Sequence, residues 1–173
     1  MEVEIPNDVK VSVNEGKIRI EGKLGYTEKS FNEKLTRCRL EGSKLIIEPN
    51  EGKKLKKKAL WAEKALHSEI SKAIRGVREG IELKMKIVYA HFPISIEQKE
   101  SILLIKNIFG ERAPRVAKIM GSTKVEAKGD IVTIKGVDPY DIGQTVANIK
   151  DACREKGYDT RVFQDGIYVL REE

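Results

Sequence analysis

The chain has 173 residues, 40% hydrophobic, 35% charged and 6% aromatic, which supplies enough apolar material for a packed core and excludes a disordered chain. Its 33 Lys and Arg against 27 Asp and Glu leave a formal charge of +6, a balance that suits a polyanionic partner. Two distant cysteines without a CxxC, two histidines, and a longest apolar run of only Ile102-Leu-Leu-Ile105 give no zinc ligand set, no disulfide framework and no membrane span; a cytoplasmic protein with no membrane partner is expected, with Cys38 and Cys153 as buried thiols.

In chain order, Val9 to Gly22 reads VKVSVNEGKIRIEG and alternates apolar and polar residues on either side of Asn14-Glu15-Gly16, the pattern of a β-hairpin. Alternation resumes over Ser30 to Leu40 and Lys44 to Glu48. The segment EGKKLKKKALW, residues 51–61, then puts five lysines into six positions, Lys53 to Lys58. It opens a helix predicted over Leu55 to Glu79, with Ala59, Ala62, Leu66, Ile70, Ala73, Ile74 and Val77 as its buried stripe. From Lys53 to Arg78 nine basic residues face two acidic ones, so this segment carries +7 and the rest of the chain −1. The amino end of a helix is already partly positive, and lysines there cost stability unless something anionic offsets them.

A second half follows a glycine-punctuated junction near Gly80. Glu82 to Tyr89 alternates as a strand and runs into His91-Phe92-Pro93, where proline marks an edge or a bend. Ser101 to Ile108 fits a strand, although its ILLI core equally fits a buried helical turn. Gly110 to Lys118 is a proline-broken basic loop carrying Arg112, Arg115 and Lys118. Thr123 to Gly136, TKVEAKGDIVTIKG, repeats the first hairpin at identical length, turning at Lys128-Gly129-Asp130. Asp138-Pro139-Tyr140-Asp141 supplies an N-cap, a first-turn proline and an acid for a helix with Ile142, Val146, Ile149 and Cys153 inward, which Gly157 is placed to end. Arg161 to Val169 completes the half as a strand. The repeat predicts an α+β protein of two tandem duplicated domains, residues 1–80 and 81–173, each a small antiparallel β-sheet packed against one α-helix.

No chemistry of catalysis is visible. Neither His67 nor His91 has a nucleophile beside it, Asp138 and Asp141 are explained as cap and dipole partners, and neither GxGxxG nor GxxxxGK[ST] occurs. An enzyme, a cofactor, a metal and a small-molecule substrate are therefore not expected. The aromatic strand motif of an RRM and the GxxG of a KH module are also missing, which leaves recognition of folded RNA through shape and backbone. Trp61, at helical spacing, is expected to pack in the core rather than to stack on a base.

Gly136-Val-Asp-Pro-Tyr-Asp-Ile-Gly-Gln-Thr-Val-Ala-Asn-Ile149, taken with Pro6, the first hairpin, Phe109-Gly-Glu-Arg112 and Asp165-Gly-Ile-Tyr168, resembles the large-subunit ribosomal protein six family, whose eukaryotic counterpart is numbered nine. The likeness runs over nearly the whole chain and is closest to archaeal members. It implies a duplicated α+β fold and a structural role on large-subunit rRNA at the base of the lateral stalk, near the sarcin-ricin loop, beside neighbouring ribosomal proteins and where translational GTPases dock. It makes the second domain the main rRNA-contacting unit. Gln144, Asn148, and Arg161, Gln164 and Tyr168 of the last strand lie in the region so used, with Arg112, Arg115 and Lys118 in its basic loop and Lys53, Lys54, Lys56, Lys57 and Lys58 as a second anchor. Many relatives carry lysines before the Gly-Ile of the final strand or a lysine-rich tail. Here Gln164-Asp165 stands in that place, and residues 85–173 carry only +1. The competing readings are a free-standing RNA-binding factor and a module that meets an acidic protein.

Overall fold

The computed structural model describes residues 1–50, 56–159 and 161–170. The chain divides into two compact units, Met1–Gly80 and Ile81–Glu173.

In the first unit, β1 (Glu2–Glu4), β6 (Lys44–Pro49) and β5 (Thr36–Glu41) form one antiparallel sheet, and β2 (Lys10–Asn14), β3 (Lys17–Gly22) and β4 (Gly25–Ser30) form another. The strict alternation of KIRIEG and KLIIEP sends Ile18, Ile20, Leu45 and Ile47 to one side, where all four are fully buried. Helix α1 (Lys56–Glu79) lies on that side through Ala59, Leu66, Ile70, Ala73, Ile74 and Val77. The stripe departs from expectation at one turn: Ala62 is half-buried, and Glu63 beside it is buried, its Oε1 2.8 Å from the Met1 amino group. Ser30 to Leu40 is not one strand either. The amides of Leu35 and Thr36 both donate to the Asn32 carbonyl, and this turn separates β4 from β5.

In the second unit, β7 (Ile81–Val88) is an interior strand between β12 (Ile131–Gly136) and β13 (Gly166–Val169), with β11 (Lys124–Lys128) outermost beyond β12. Pro93 follows β7 after the chain has bent out of the sheet. A second sheet holds β8 (Ser95–Lys99), β9 (Ile102–Lys106) and β10 (Arg115–Lys118). The ILLI run is therefore a strand, its Leu103 and Ile105 fully buried, and the second half of the basic loop is strand as well. Helix α2 (Pro139–Cys153) begins as the sequence dictates, the Asp138 side chain accepting from the Tyr140 amide at 2.8 Å. It ends at Cys153, before Gly157, with the Arg154 amide donating to the Asp151 carbonyl. The last strand is shorter than Arg161–Val169. Gly166 pairs with Val88, the final residue of β7, so residues 161–165 have no partner strand to lie against.

Among the described residues each unit thus has one α-helix and two small sheets rather than one, and the second adds a short 3-10 turn at Ile108–Gly110. The two hairpins turn through Gly16 and Gly129, whose φ of 74° and 58° suit glycine, and both end in a glycine under the helix. A Cβ on Gly22 would lie 2.7 Å from Val77 Cγ2, and one on Gly136 would lie 3.1 Å from Ile142 Cγ1. Cys153 is buried as expected, whereas Cys38 is only half-buried; loss of hydration nonetheless pushes each thiol up to about 11.

Candidate nucleic-acid interface

The described residues contain no helix long and apolar enough to cross a membrane and no group of three or more His, Cys, Asp or Glu that could hold a metal ion. Positive charge on the surface is what remains.

In the first unit Lys53 and Lys54 lie outside the described residues. Lys56, Lys57 and Lys58 form the first turn of α1, all exposed, with no acid in that turn to offset the helix dipole. Trp61, one turn further on, is 69% exposed. It is not a core residue: nine positions before the fully buried Ile70, it points the opposite way.

In the second unit β10 and α2 bring four of the named residues onto one seam. Lys118, exposed at the end of β10, gives its carbonyl to Asn148 Nδ2 at 2.9 Å, and Asn148 Oδ1 accepts from Gln144 Nε2 at 3.1 Å. These amides are fixed by the fold before any ligand arrives. Arg115, three residues before Lys118, does not face outward. Its Nε and Nη2 fork onto Glu111 at 2.8 and 2.6 Å, and its Nη1 reaches the carbonyls of Ala152 and Arg154 at 2.9 and 2.6 Å. The guanidinium covers the Phe109 ring at 5.4 Å, and the side chain is 17% exposed. Spacing along a loop suggested a phosphate ligand; the structure uses Arg115 to join the loop to the end of α2, where helix carbonyls lack intrahelical donors. The hydrogen bonds from Arg115 hold the Glu111 carboxyl below its ordinary value. Arg112, by contrast, is exposed.

The third group surrounds the entry to β13. Arg161 lies in a turn, its amide on Asp159 Oδ1 at 2.9 Å, and Tyr168 donates its hydroxyl to the Gln164 carbonyl at 2.9 Å. Arg161, Gln164 and Tyr168 are exposed. Asp165 between them is buried and accepts from the amides of Ala90 and His91 and from His91 Nδ1, at 2.8, 3.3 and 3.4 Å. Burial by itself raises this carboxyl, but those N–H groups outweigh it and hold it below its ordinary value. His91 in turn stacks on Phe163 at 4.4 Å, and Phe163 meets Tyr158 at 4.7 Å, so Tyr158 and Phe163 are held by ring contacts.

Sequence reasoning passed over Lys150 and Arg154, which with Tyr168 line an open groove of about 380 Å³ between α2 and β13 that Asp151, Glu155 and Asp165 line as well. Their signal was available, as two cations four residues apart at the negative end of a helix. Arg112, Lys118, Lys150, Arg154 and Arg161 make no ion pair with a described residue, whereas Lys99, Lys106 and Lys135 in the same unit each meet a glutamate.

No family model matches the chain. Among curated proteins it is 40% identical over 172 residues to the large ribosomal subunit protein uL6 of Methanobrevibacter smithii, covering 99% of this chain and 95% of that one. It is 42% identical over 170 residues to the protein of the same name from Methanocella arvoryzae, covering 97% and 94%. That of Staphylothermus marinus is 41% identical over 172 residues, with 97% and 91% covered. Identity of this degree, continuous through both units and nearly end to end in either direction, makes the chain a member of the uL6 family of large ribosomal subunit proteins, archaeal in type, a family of structural proteins and not of enzymes.

Proposed function

We propose that the chain serves in the large ribosomal subunit as an rRNA-binding component, with the second unit as its main RNA contact, seated at the base of the lateral stalk near the sarcin-ricin loop. Ribosomal RNA and neighbouring ribosomal proteins are its partners, and translational GTPases dock nearby. Location and neighbours follow from the family resemblance. The observation that carries the RNA contact is the group of exposed cations on the second unit that make no ion pair with a described residue, Arg112, Lys118, Lys150, Arg154 and Arg161, beside the fixed amides of Gln144 and Asn148.

The physics is neutralisation of phosphate with release of condensed counterions. Cations already tied to carboxylates would have to break those pairs first; these do not. Amides and Tyr168 held by internal hydrogen bonds lose little freedom on docking, so they suit recognition of a fixed RNA shape. Lys53, Lys54, Lys56, Lys57 and Lys58 form the second anchor.

Sedimentation tests this against a free-standing RNA-binding factor. A structural component remains with large subunits through a high-salt cushion at one copy per particle. Release into the supernatant at moderate salt, or substoichiometric recovery, would favour the transient factor.

A further inference from the structure

Helix α1 carries on its outer side a row that the fold does not use. Counting outward from the buried stripe, Lys57, Trp61, Lys64, Ser68, Lys72 and Arg75 follow one another at spacings of four, three, four, four and three residues, and all are exposed. At about 1.5 Å per residue the row is some 27 Å long. Between Lys57 and Arg75 it contains no acid: Glu63 turns inward to the Met1 amino group, Glu69 lies about 60° round the helix from Lys72, and Glu79, four residues past Arg75, ends the row. In this unit Lys44 pairs with Glu2, Arg78 with Asp8 and Arg19 with Glu21, whereas Lys57, Lys64, Lys72 and Arg75 meet no carboxylate among the described residues.

We infer that this face is a binding site for an unpaired stretch of RNA, with one base stacked on Trp61 and the flanking phosphates held by Lys57 and Lys64. The inference rests on the reading of the chain as an RNA-binding protein and adds a site in the first unit. Trp61 stands 69% exposed, with the backbone of Lys57 about 6 Å before it and that of Lys64 about 4.5 Å after it along the axis. That arrangement offers a π-face with a cation on either side, where the phosphates preceding and following a stacked nucleotide lie. A duplex cannot use the ring, because its bases already stack on one another; a loop, a bulge or a single strand can. An acidic protein is the poorer fit. Protein interfaces centre on a dehydrated apolar patch depleted in lysine, and among the described residues of α1 only Leu60, 43% exposed and off to one side, accompanies Trp61 as an exposed large apolar side chain.

Trp61 is the only tryptophan in the chain, so its emission reports this site alone. The full chain is titrated with a short oligoadenylate and, separately, with an oligoglutamate of matched charge, while binding to large-subunit rRNA is followed by filter retention. Oligoadenylate should quench Trp61 saturably and oligoglutamate should not. With binding followed by the anisotropy of an end-labelled oligoadenylate, since both variants remove the emitting ring, Trp61→Ala should weaken oligoadenylate binding roughly five-fold or more, with Trp61→Phe retaining most of it. Lys57→Gln with Lys64→Gln should lower the salt slope by about 1.4. All three side chains are exposed, so the fold is not at stake. Absence of quenching, equal quenching by oligoglutamate, or unchanged affinity in Trp61→Ala would overturn the inference. In each of those cases retained binding to rRNA by the unsubstituted chain leaves the broader reading standing, and loss of that binding removes both.

Discussion

Asp165 accepts the backbone N–H of Ala90 at 2.8 Å, and so ties the exit of β7 to the entry of β13 across 75 residues of chain. The carboxylate also accepts from the His91 amide and ring, and Asp165 is buried. Because its folded-state value is depressed, its stabilisation is complete above the unfolded value near 4 and is lost as pH falls from there through the folded value. Asp165→Asn should cost about 1–3 kcal/mol at neutral pH by urea denaturation. The gap between variant and parent should shrink below pH ~4. A gap that persists undiminished to the lowest accessible pH would mean that ionisation of Asp165 contributes nothing.

Arg115 is expected to matter for stability and not for RNA. Lysine cannot reproduce a fork onto Glu111 together with two helix-end carbonyls, so Arg115→Lys should lose about 1–3 kcal/mol. The salt dependence of rRNA binding should stay as it was. A flattened salt slope in a folded Arg115→Lys variant would show that the side chain reaches phosphate after all.

Changing Lys53, Lys54, Lys56, Lys57 and Lys58 together to Gln should weaken binding to large-subunit RNA. Each engaged lysine removes roughly 0.7–0.9 from the slope of log affinity against log salt, so three engaged lysines remove about 2–3. Removing positive charge from the first turn should also leave α1 no less stable by thermal denaturation. An unchanged slope would return this run to the status of a solvated turn or a contact to an acidic neighbour.

The division at Gly80 predicts that fragments 1–80 and 81–173 fold separately. Each has its own helix and its own buried strands, which is the requirement for independent folding. Circular dichroism and urea titration of the two fragments check it; a non-cooperative response from both would mean that neither core suffices alone.

Where the sequence was readable, the cause is local. Alternation in KIRIEG and IVTIKG and the Asp138-Pro139 cap are decided within a few residues, and the elements follow. Burial of Glu63 and the anchoring of Arg115 depend on partners 62 and up to 39 residues away, which no window contains. Strand β13 is short because β7 ends at Val88, again a distant cause. Trp61 is a different case. Its phase relative to Ile70 was present in the stripe, and the general habit of tryptophan to pack inward was allowed to outweigh it. Among the RNA-contact candidates, loops gave their charges away but not which charges the fold had already spent.

The two hairpin glycines divide the copies of the repeat by how much drift each can absorb. Under Gly22 the obstacle includes the Val77 carbonyl oxygen, 2.8 Å from where a Cβ would stand, and that same oxygen accepts the Leu24 amide at 3.1 Å. Main chain cannot swing aside, so any side chain at 22 would prise the end of α1 off its sheet. Under Gly136 the nearest atoms belong to the Ile142 side chain, Cγ1 at 3.1 Å and Cδ1 at 3.3 Å, followed by the Thr123 hydroxyl at 3.5 Å, with no main-chain atom among these three. Alanine at 22 therefore has main chain to displace, whereas alanine at 136 has only side-chain atoms to displace, so the two otherwise matching positions differ in what a substitution must move.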